Sequence, residues 1–343
     1  MMRLPSYRYR APRTIDDAAA WLAESPADTM LLAGGTDLIP NMKRRQQTPA
    51  TVVGLRGIAA LSEVQARDGF VVGAGVTLTS LVHDERIRDQ YAGLWQAVAQ
   101  IATPHLRNMG TIGGNICLDT RCTYYDQSHE WRQAINFCMK KDGDTCWVAT
   151  SSERCLAVSS TDSAPALIAL GATVRLVSAS GTRDVALTDL YANDGMHYLT
   201  RRADEILTSV RLPAMDGWRS TYWKLRRRGS FDFPVASVAA AARFDGDRVV
   251  EARLVLGAVA SRPLEVPAAS ARLAGLALSD DLIASAADDA YALAKPMDNT
   301  DFELVWRKKI VRSLVTSALR ELRGDDMREA RTKLARHPLL VVS

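Results

Sequence analysis

The stretch Leu31-Leu32-Ala33-Gly34-Gly35-Thr36-Asp37-Leu38 decides how this chain is interpreted. Residues 29–33 predict a short buried strand, and the two glycines predict a tight turn directly after it. Glycine has no Cβ and adopts positive φ, so its N–H groups can approach a ligand and form a nest for phosphate. The stretch lacks the Gly-x-Gly-x-x-Gly of dinucleotide folds and the Gly-Lys-Ser/Thr of a Walker A loop. Alone, it is better explained as an ordinary strand and turn.

A second glycine turn, Thr111-Ile112-Gly113-Gly114-Asn115, makes a ligand site the better interpretation. Each turn is flanked by a threonine whose hydroxyl can donate a hydrogen bond. Two such turns suit a long ligand with a diphosphate in the middle.

The rest of the chain predicts an α+β protein. Thr14 is a candidate N-cap for a helix over 14–25, and Asp245-Gly246-Asp247 predicts a hairpin turn between two strands. Periodicity predicts further strands at 51–55, 70–75, 173–177 and 206–213, and further helices at 78–88, 90–102, 163–170, 281–294 and 301–323. We expect subdomains at 1–55 and 56–213, a sheet-plus-helix domain at 214–325 and a tail at 326–343.

Composition excludes several classes of protein. The net charge of +4 gives no electrostatic footprint for nucleic acid or membrane. The N-terminus lacks the apolar segment of a signal peptide, and the apolar residues 234–242 are too few to span a bilayer. We therefore expect a cytoplasmic protein with no nucleic-acid or membrane partner.

The five cysteines are clustered in one part of the chain: Cys117, Cys122, Cys138, Cys146 and Cys155. Clustered thiols in a reducing compartment are typical of a metal or iron–sulfur site, and an odd number argues against a closed set of disulfides. Their spacings are unlike the Cys-x-x-Cys of ferredoxins. From spacing alone, an iron–sulfur cluster and a structural zinc both remain open.

Taken together, the glycine segments resemble the FAD-binding subunit of the molybdenum hydroxylase family. Three further segments recur there in the same order: Gly73-Ala74-Gly75-Val76-Thr77, Asp162-Ser163-Ala164-Pro165-Ala166-Leu167 and Tyr222-Trp223-Lys224-Leu225. The resemblance implies a two-subdomain FAD-binding fold of the vanillyl-alcohol-oxidase (PCMH) type. It also implies a C-terminal α+β domain like that of the CO dehydrogenase flavoprotein.

The same resemblance implies FAD held without a covalent link. The residues implied to bind it are Met30, Leu31, Leu32, Ala33, Gly34, Gly35, Thr36, Ile101, Thr111, Gly114, Asn115, Asp162, Ile206 and Lys224. Some of these have simpler interpretations. Ile101 and Ile206 also suit an ordinary core, and Asp162 suits the N-cap of the helix that follows it. Lys224 also suits a solvated strand.

The chain departs from most of the family at about 118–158, where it carries an insertion with four cysteines. The insertion resembles that of the β subunit of 4-hydroxybenzoyl-CoA reductase, in strings such as Cys122-Thr123-Tyr124-Tyr125-Asp126-Gln127 and Cys138-Met139-Lys140-Lys141-Asp142-Gly143. This implies a [4Fe-4S] cluster bound by Cys122, Cys138, Cys146 and Cys155. Cys117 precedes the insertion and is interpreted as a small buried hydrophobe.

The implied function is electron transfer, with no catalytic residue on this chain. The implied partners are a molybdopterin subunit and a subunit with two [2Fe-2S] clusters, in a dimer of heterotrimers. Ferredoxin would deliver electrons through the [4Fe-4S] cluster and FAD for the reduction of 4-hydroxybenzoyl-CoA to benzoyl-CoA in anaerobic aromatic degradation. Lys140, Lys141 and Arg154 are candidate ferredoxin-docking residues. The alternatives are an oxidative subunit of the xanthine or CO dehydrogenase type, or a free-standing flavin oxidase with a zinc-stapled loop.

Overall fold

The structure, a computed structural model, describes residues 3–336 and begins with a small parallel sheet. Its elements are β1 (Arg8–Arg10), α1 (Ile15–Glu24), β2 (Thr29–Leu32), α2 (Leu38–Lys43) and β3 (Thr51–Gly54). The strand order is β1-β3-β2, with both pairs parallel. Helix α1 begins where predicted, since the Thr14 hydroxyl accepts from the Asp17 N–H at 3.0 Å.

A five-stranded antiparallel sheet forms the second unit. Its strands are β4 (Val64–Ala66), β5 (Phe70–Gly73), β6 (Thr173–Ser178), β7 (Gly181–Ala186) and β8 (Ile206–Leu212), in the order β4-β5-β8-β6-β7. Its helices are α3 (Leu78–His83), α4 (Glu85–Gln90), α5 (Ala92–Ala99), α6 (Pro104–Arg107), α7 (Ile112–Ile116), α8 (His129–Ala134) and α9 (Ser163–Ala169). The helix predicted over 78–88 is two helices, because Asp84 leaves helical geometry and caps α4.

The insertion at 118–158 contains one short helix, α8, and is otherwise turns and bends. Its two ends pair with each other. The Arg121 N–H donates to the Val158 carbonyl at 2.8 Å, and the Val158 N–H donates back at 2.7 Å. The insertion therefore leaves and rejoins the second unit at one point.

The third unit is an antiparallel sheet backed by helices. Its strands are β9 (Trp218–Leu225), β10 (Ala236–Asp245), β11 (Arg248–Gly257) and β12 (Leu264–Glu265), in the order β9-β10-β11-β12. Its helices are α10 (Pro267–Leu273), α11 (Asp280–Leu293), α12 (Leu304–Arg323) and α13 (Arg328–Arg336). The predicted hairpin joins β10 and β11, with Gly246 at φ +60°.

Strand β10 is buried on both faces, which fixes how the third unit meets the second. Val238 and Ala240 point into the core formed with α11 and α12, whereas Ala239 and Ala241 join the core of the second unit. Successive strand residues alternate faces, so a run of small apolar residues suits a strand covered on both sides. The same contact brings β9 close to α9.

Among the helices of residues 3–336, none combines the length and apolar character needed to cross a lipid bilayer. The division at 55, 213 and 325 stays a prediction. Helix α13 occupies the first part of the predicted tail, and residues 337–343 of that tail lie outside the described residues.

Candidate functional site

A cavity of about 840 Å³, hereafter the main cavity, lies where the three units meet, and both glycine turns open into it. Cavities of this size are typical of sites for cofactors and other small molecules. Eleven of the predicted FAD residues line it: Met30, Leu31, Ala33, Gly34, Gly35, Thr36, Ile101, Thr111, Gly114, Asn115 and Asp162.

The first glycine turn presents free backbone donors to the main cavity. Strand β2 ends at Leu32, and Gly35 takes φ +74°, which redirects the chain into α2. The N–H groups of Gly34, Gly35 and Thr36 donate to no acceptor among residues 3–336. Adjacent N–H groups without partners suit the oxygens of a diphosphate.

Gly34 is also required by packing. A Cβ at this position would overlap the carbonyl group of Met109, which lies just before the second glycine turn. The two turns therefore lie closer together than they could if the residue at Gly34 had a side chain.

The second glycine turn is the start of α7. The Thr111 hydroxyl accepts from the Gly114 N–H at 3.1 Å and so caps the helix. A Cβ at Gly114 would meet only the Thr111 hydroxyl oxygen, at 3.1 Å, a close contact that a small shift of that side chain would relieve. Gly114 also lines the main cavity, where the absence of a side chain lets a ligand lie close to the backbone.

Asn115 organises the protein on the far side of the same turn. Its Oδ1 accepts from the Thr161 hydroxyl at 2.9 Å and from the Ser163 hydroxyl at 2.6 Å and N–H at 3.2 Å. These bonds fix the start of α9 beside α7. The side-chain amide oxygen of Asn115 therefore stabilises the fold. The residue also lines the main cavity.

Asp162 and Lys224 form a buried ion pair at the edge of the main cavity. Asp162 Oδ2 lies 3.0 Å from Lys224 Nζ, and Oδ1 accepts from the Tyr222 hydroxyl at 2.7 Å. Burial raises the pKa of Asp162 and lowers that of Lys224, and their mutual attraction opposes both shifts. Asp162 makes no side-chain cap to α9, so its side chain serves the ion pair instead.

Three of the predicted FAD residues do not line the main cavity: Leu32, Ile206 and Lys224. Ile206 is fully buried in the core with α1, and its neighbour Leu207 faces the cavity, because adjacent strand residues point to opposite faces. Lys224 does not line the cavity itself and contacts Asp162, which does.

Sequence reasoning missed other residues that line the main cavity. They include Leu78, Met109, Cys117, Asp119, Arg121, Tyr198, Arg201, Leu207, Phe231 and Phe233. Most of them come from turns and loops that carry no repeating pattern. Three had a nearby signal: Leu78 directly follows Gly73-Ala74-Gly75-Val76-Thr77, Cys117 lies two residues after Asn115, and Leu207 is next to Ile206.

Four of the cysteines meet in the insertion. Cys122, Cys138, Cys146 and Cys155 line a second, small cavity of about 10 Å³, hereafter the cysteine cavity. All four are buried, and no disulfide joins any of the five cysteines. Cys117 lies elsewhere and lines the main cavity.

The thiols of the cysteine cavity are held in apolar surroundings. Burial raises the pKa of Cys122 to about 12 and that of Cys155 to about 11. Within residues 3–336, no three His, Cys, Asp or Glu side chains are arranged to hold a single metal ion. The four predicted ligands therefore line the same cysteine cavity, but they are not arranged as the ligands of a single metal ion.

The expectation that Lys140 docks a partner is wrong. Its side chain is 6% exposed, and Nζ lies 2.8 Å from Asp119 Oδ1, so the charge points into the protein. Of the other two candidates, Lys141 is partly exposed and pairs with Asp142 at 3.0 Å, and Arg154 is exposed.

Comparisons with known proteins agree with this geometry. The family model described as the FAD binding domain in molybdopterin dehydrogenase matches residues 5–215, and that described as the CO dehydrogenase flavoprotein C-terminal domain matches 220–322. The aldehyde oxidoreductase FAD-binding subunit PaoB of Escherichia coli is 31% identical, over 92% of this chain and 99% of that protein.

Carbon monoxide dehydrogenases are similar in sequence and in structure. The medium chain from Afipia carboxidovorans is 29% identical over 92% of this chain and 96% of its own length. A solved structure of carbon monoxide dehydrogenase from Hydrogenophaga pseudoflava, which lacks the Mo-pyranopterin moiety, superposes with a TM-score of 0.78 at 26% identity. That match covers 94% of this chain and 98% of the other.

The predicted fold class is confirmed by these matches. This chain belongs to the molybdenum hydroxylase family as a FAD-binding subunit, with a FAD-binding domain followed by a C-terminal domain of the CO dehydrogenase flavoprotein type.

Proposed function

We propose that this chain transfers electrons through FAD within a multi-subunit molybdenum enzyme, whose other subunits carry molybdopterin and two [2Fe-2S] clusters. The observation that carries the proposal is the main cavity, with its two glycine turns and unpaired N–H groups. Bound FAD supplies a centre that exchanges electrons singly or in pairs. The residues that would hold it are Met30, Leu31, Ala33, Gly34, Gly35, Thr36, Ile101, Thr111, Gly114, Asn115 and Asp162.

Different residues would make different kinds of contact with FAD. The backbone of Gly34, Gly35 and Thr36 would donate to the diphosphate, whereas Asp162 would accept from the cofactor. Leu32, Ile206 and Lys224 would act indirectly, by supporting residues that line the cavity. No residue of this chain is assigned a catalytic role, since the substrate site is proposed to lie on a partner subunit.

The comparisons favour an oxidative reaction for the assembled enzyme. Relatives of this chain are named as subunits of aldehyde oxidoreductase, carbon monoxide dehydrogenase and xanthine dehydrogenase. In such an enzyme electrons would leave the substrate and pass outward through FAD.

A second candidate is favoured by the insertion. Four cysteines from separate turns face one buried space, and four thiolates are the usual ligand set of a [4Fe-4S] cluster. A cubane takes one thiolate on each of four irons, so its ligands need not surround a single ion. A low-potential cluster would admit single electrons from ferredoxin and suit the reduction of 4-hydroxybenzoyl-CoA.

The reductive reaction balances with two electrons and two protons. 4-Hydroxybenzoyl-CoA loses its phenolic hydroxyl as water and becomes benzoyl-CoA, and the ferredoxin class of carrier is oxidised by two single-electron steps. Both candidates use the same FAD subunit, so the two directions are separated by experiment on the whole enzyme.

The cluster is tested by paired cysteine variants. We expect the wild-type chain to bind FAD and about four irons. Cys138→Ser should lose the iron and keep FAD, whereas Cys117→Ser should keep the iron, because Cys117 lies outside the cysteine cavity. Zinc in place of iron in the anaerobically purified protein contradicts the cluster, as does loss of iron from both variants alike.

The direction of electron flow is tested with the native complex. Reduced ferredoxin with 4-hydroxybenzoyl-CoA should yield benzoyl-CoA if the second candidate is correct. Bleaching of the flavin by xanthine, an aldehyde or CO, with no benzoyl-CoA formed, supports the oxidative candidate. Sustained activity of this chain without partner subunits would contradict both.

We also propose a dimer of heterotrimers in the cytoplasm. The support for the location is that five unpaired thiols suit a reducing compartment. The mass of the native complex tests the stoichiometry.

A further inference from the structure

Lys140 occupies the wall between the two cavities. It lines the cysteine cavity, while its ion-pair partner Asp119 lines the main cavity. All three hydrogens of the ammonium group have acceptors: Asp119 Oδ1 at 2.8 Å, the Thr120 hydroxyl at 2.8 Å and the Gly195 carbonyl at 2.7 Å. A lysine is rarely buried this completely unless its charge is compensated, and here it is held in one position.

Two tyrosines complete the wall on either side of this ammonium group. Lys140 Nζ lies 4.9 Å from the ring centre of Tyr125, which borders the cysteine cavity, and 5.3 Å from that of Tyr198, which borders the main cavity. Such distances give cation–π attraction to both rings. The cation therefore sits between one aromatic ring from each site.

Hydrogen bonds from the cysteine cavity converge on Asp119. One connection runs from Cys138 along the backbone to Lys140 and its Nζ, and thence to Asp119 Oδ1. The other runs from Tyr125, whose N–H donates to the Cys122 carbonyl and whose hydroxyl donates to Asp119 Oδ2 at 2.9 Å. The buried Asp119 carboxylate thus links two of the four cysteine segments to the main cavity.

We propose that Lys140 is a positioning residue that fixes the cysteine cavity relative to the FAD cavity, and that the group Lys140, Asp119 and Tyr125 provides the electronic connection between the two. This inference rests on the proposed cluster and FAD. Cys122, Cys138, Cys146 and Cys155 would hold the cluster, which would supply single electrons received from a reduced ferredoxin-class carrier. The main cavity would hold FAD, which would accept two electrons with two protons from solvent.

The charge of Lys140 should also affect the reduction potentials of the two redox centres. A fixed cation stabilises added negative charge on a nearby redox centre, and it neutralises Asp119. Removing the cation alone leaves a buried carboxylate without its ionic partner between the two sites. The potentials of both centres should then fall, in addition to any loss of alignment.

The test uses Lys140→Met in the full complex, with Lys141→Met as the matched control on the partly exposed neighbour. The measurements are iron and FAD content, the midpoint potentials of both centres, and the rate at which the flavin is reduced after rapid mixing with reduced ferredoxin. We expect wild-type cofactor content, lowered potentials and slower flavin reduction. Lys141→Met should match the wild type.

Lys140→Arg keeps the test decisive if the methionine variant loses iron. It retains the buried charge but moves it, so slower flavin reduction with near-normal potentials supports the inference. Full iron and FAD with a wild-type rate and wild-type potentials in either variant overturns it. Absence of iron from the wild-type chain instead contradicts the proposed cluster, so the two failures are distinguishable.

Discussion

Asp162 and Lys224 are joined across the boundary between the second and third units, with 3.0 Å between Oδ2 and Nζ. Asp162 stands at the start of α9, and Lys224 lies on β9. Both side chains are almost completely buried, so each charge depends on the other. Lys224 also donates to the Gln100 carbonyl at 3.1 Å, directly before Ile101 of the main cavity. The pair therefore ties the cavity wall to the C-terminal domain.

Removing one member of this pair should destabilise the protein strongly. Lys224→Met leaves the Asp162 carboxylate buried without its partner, which should lower the free energy of unfolding by about 3–5 kcal/mol. The double variant Asp162→Asn/Lys224→Met should lose less. Urea unfolding measures both. Arg227→Met breaks an exposed pair with Asp301 and should cost under about 1 kcal/mol; an equal loss in both single variants would contradict the argument.

The two glycine turns should respond differently to alanine. Gly34→Ala forces a Cβ into the Met109 carbonyl group. It should lower the free energy of unfolding by about 3 kcal/mol. Gly114→Ala meets only the Thr111 hydroxyl oxygen, at 3.1 Å, and a small shift of that side chain should keep the melting temperature within a few degrees of the wild type. It should nevertheless weaken FAD retention on gel filtration, because the new methyl group enters the main cavity. Full FAD retention in Gly114→Ala would show that the cofactor does not approach this turn.

Glu205 should make the second unit sensitive to acid. Its buried carboxylate accepts from Arg183 Nε at 2.7 Å and Nη2 at 2.9 Å, and these bonds hold its pKa below the ordinary value of 4.5, against the opposing effect of burial. A lowered carboxyl pKa gives stability that is present above pH 4.5 and lost as the pH falls through the folded-state pKa. Glu205→Gln should therefore lose about 1–3 kcal/mol at pH 7.

The pH dependence provides the check on that assignment. The difference between wild type and Glu205→Gln, measured by urea unfolding, should shrink as the pH is lowered below 4.5. A difference that stays constant down to the acid transition would mean that the carboxylate charge is not what stabilises this region.

Asn299 should hold the insertion against the C-terminal domain. Its side-chain Nδ2 donates to the Leu156 carbonyl at 2.6 Å, and its backbone carbonyl accepts from the Thr123 N–H at 3.0 Å. Asn299→Ala should lower stability by about 1–2 kcal/mol and speed protease cleavage within 118–158. In the control Asn193→Ala, the contact with Arg154 uses the backbone carbonyl and persists, so cleavage should stay at the wild-type rate.

The sequence predicts those features that local chemistry determines. Thr14 caps its helix, Gly246 turns its hairpin, and the two glycine turns reach one cavity, because each depends on a few adjacent residues. Ile206 and Leu207 could not be assigned to faces, because β8 begins with these two adjacent apolar residues, both buried, and alternates only towards its end. Lys140 follows the usual pattern of an exposed lysine, and its burial depends on Asp119, which only the folded chain brings to it.

The paired ends of the insertion, Arg121 and Val158, determine how the cysteine segment is attached. Two residues that exchange both backbone hydrogen bonds have Cα atoms about 5.5 Å apart, a gap that a very short link can span. The chain before and after the insertion is therefore held together by this one pair, whatever length of segment lies between.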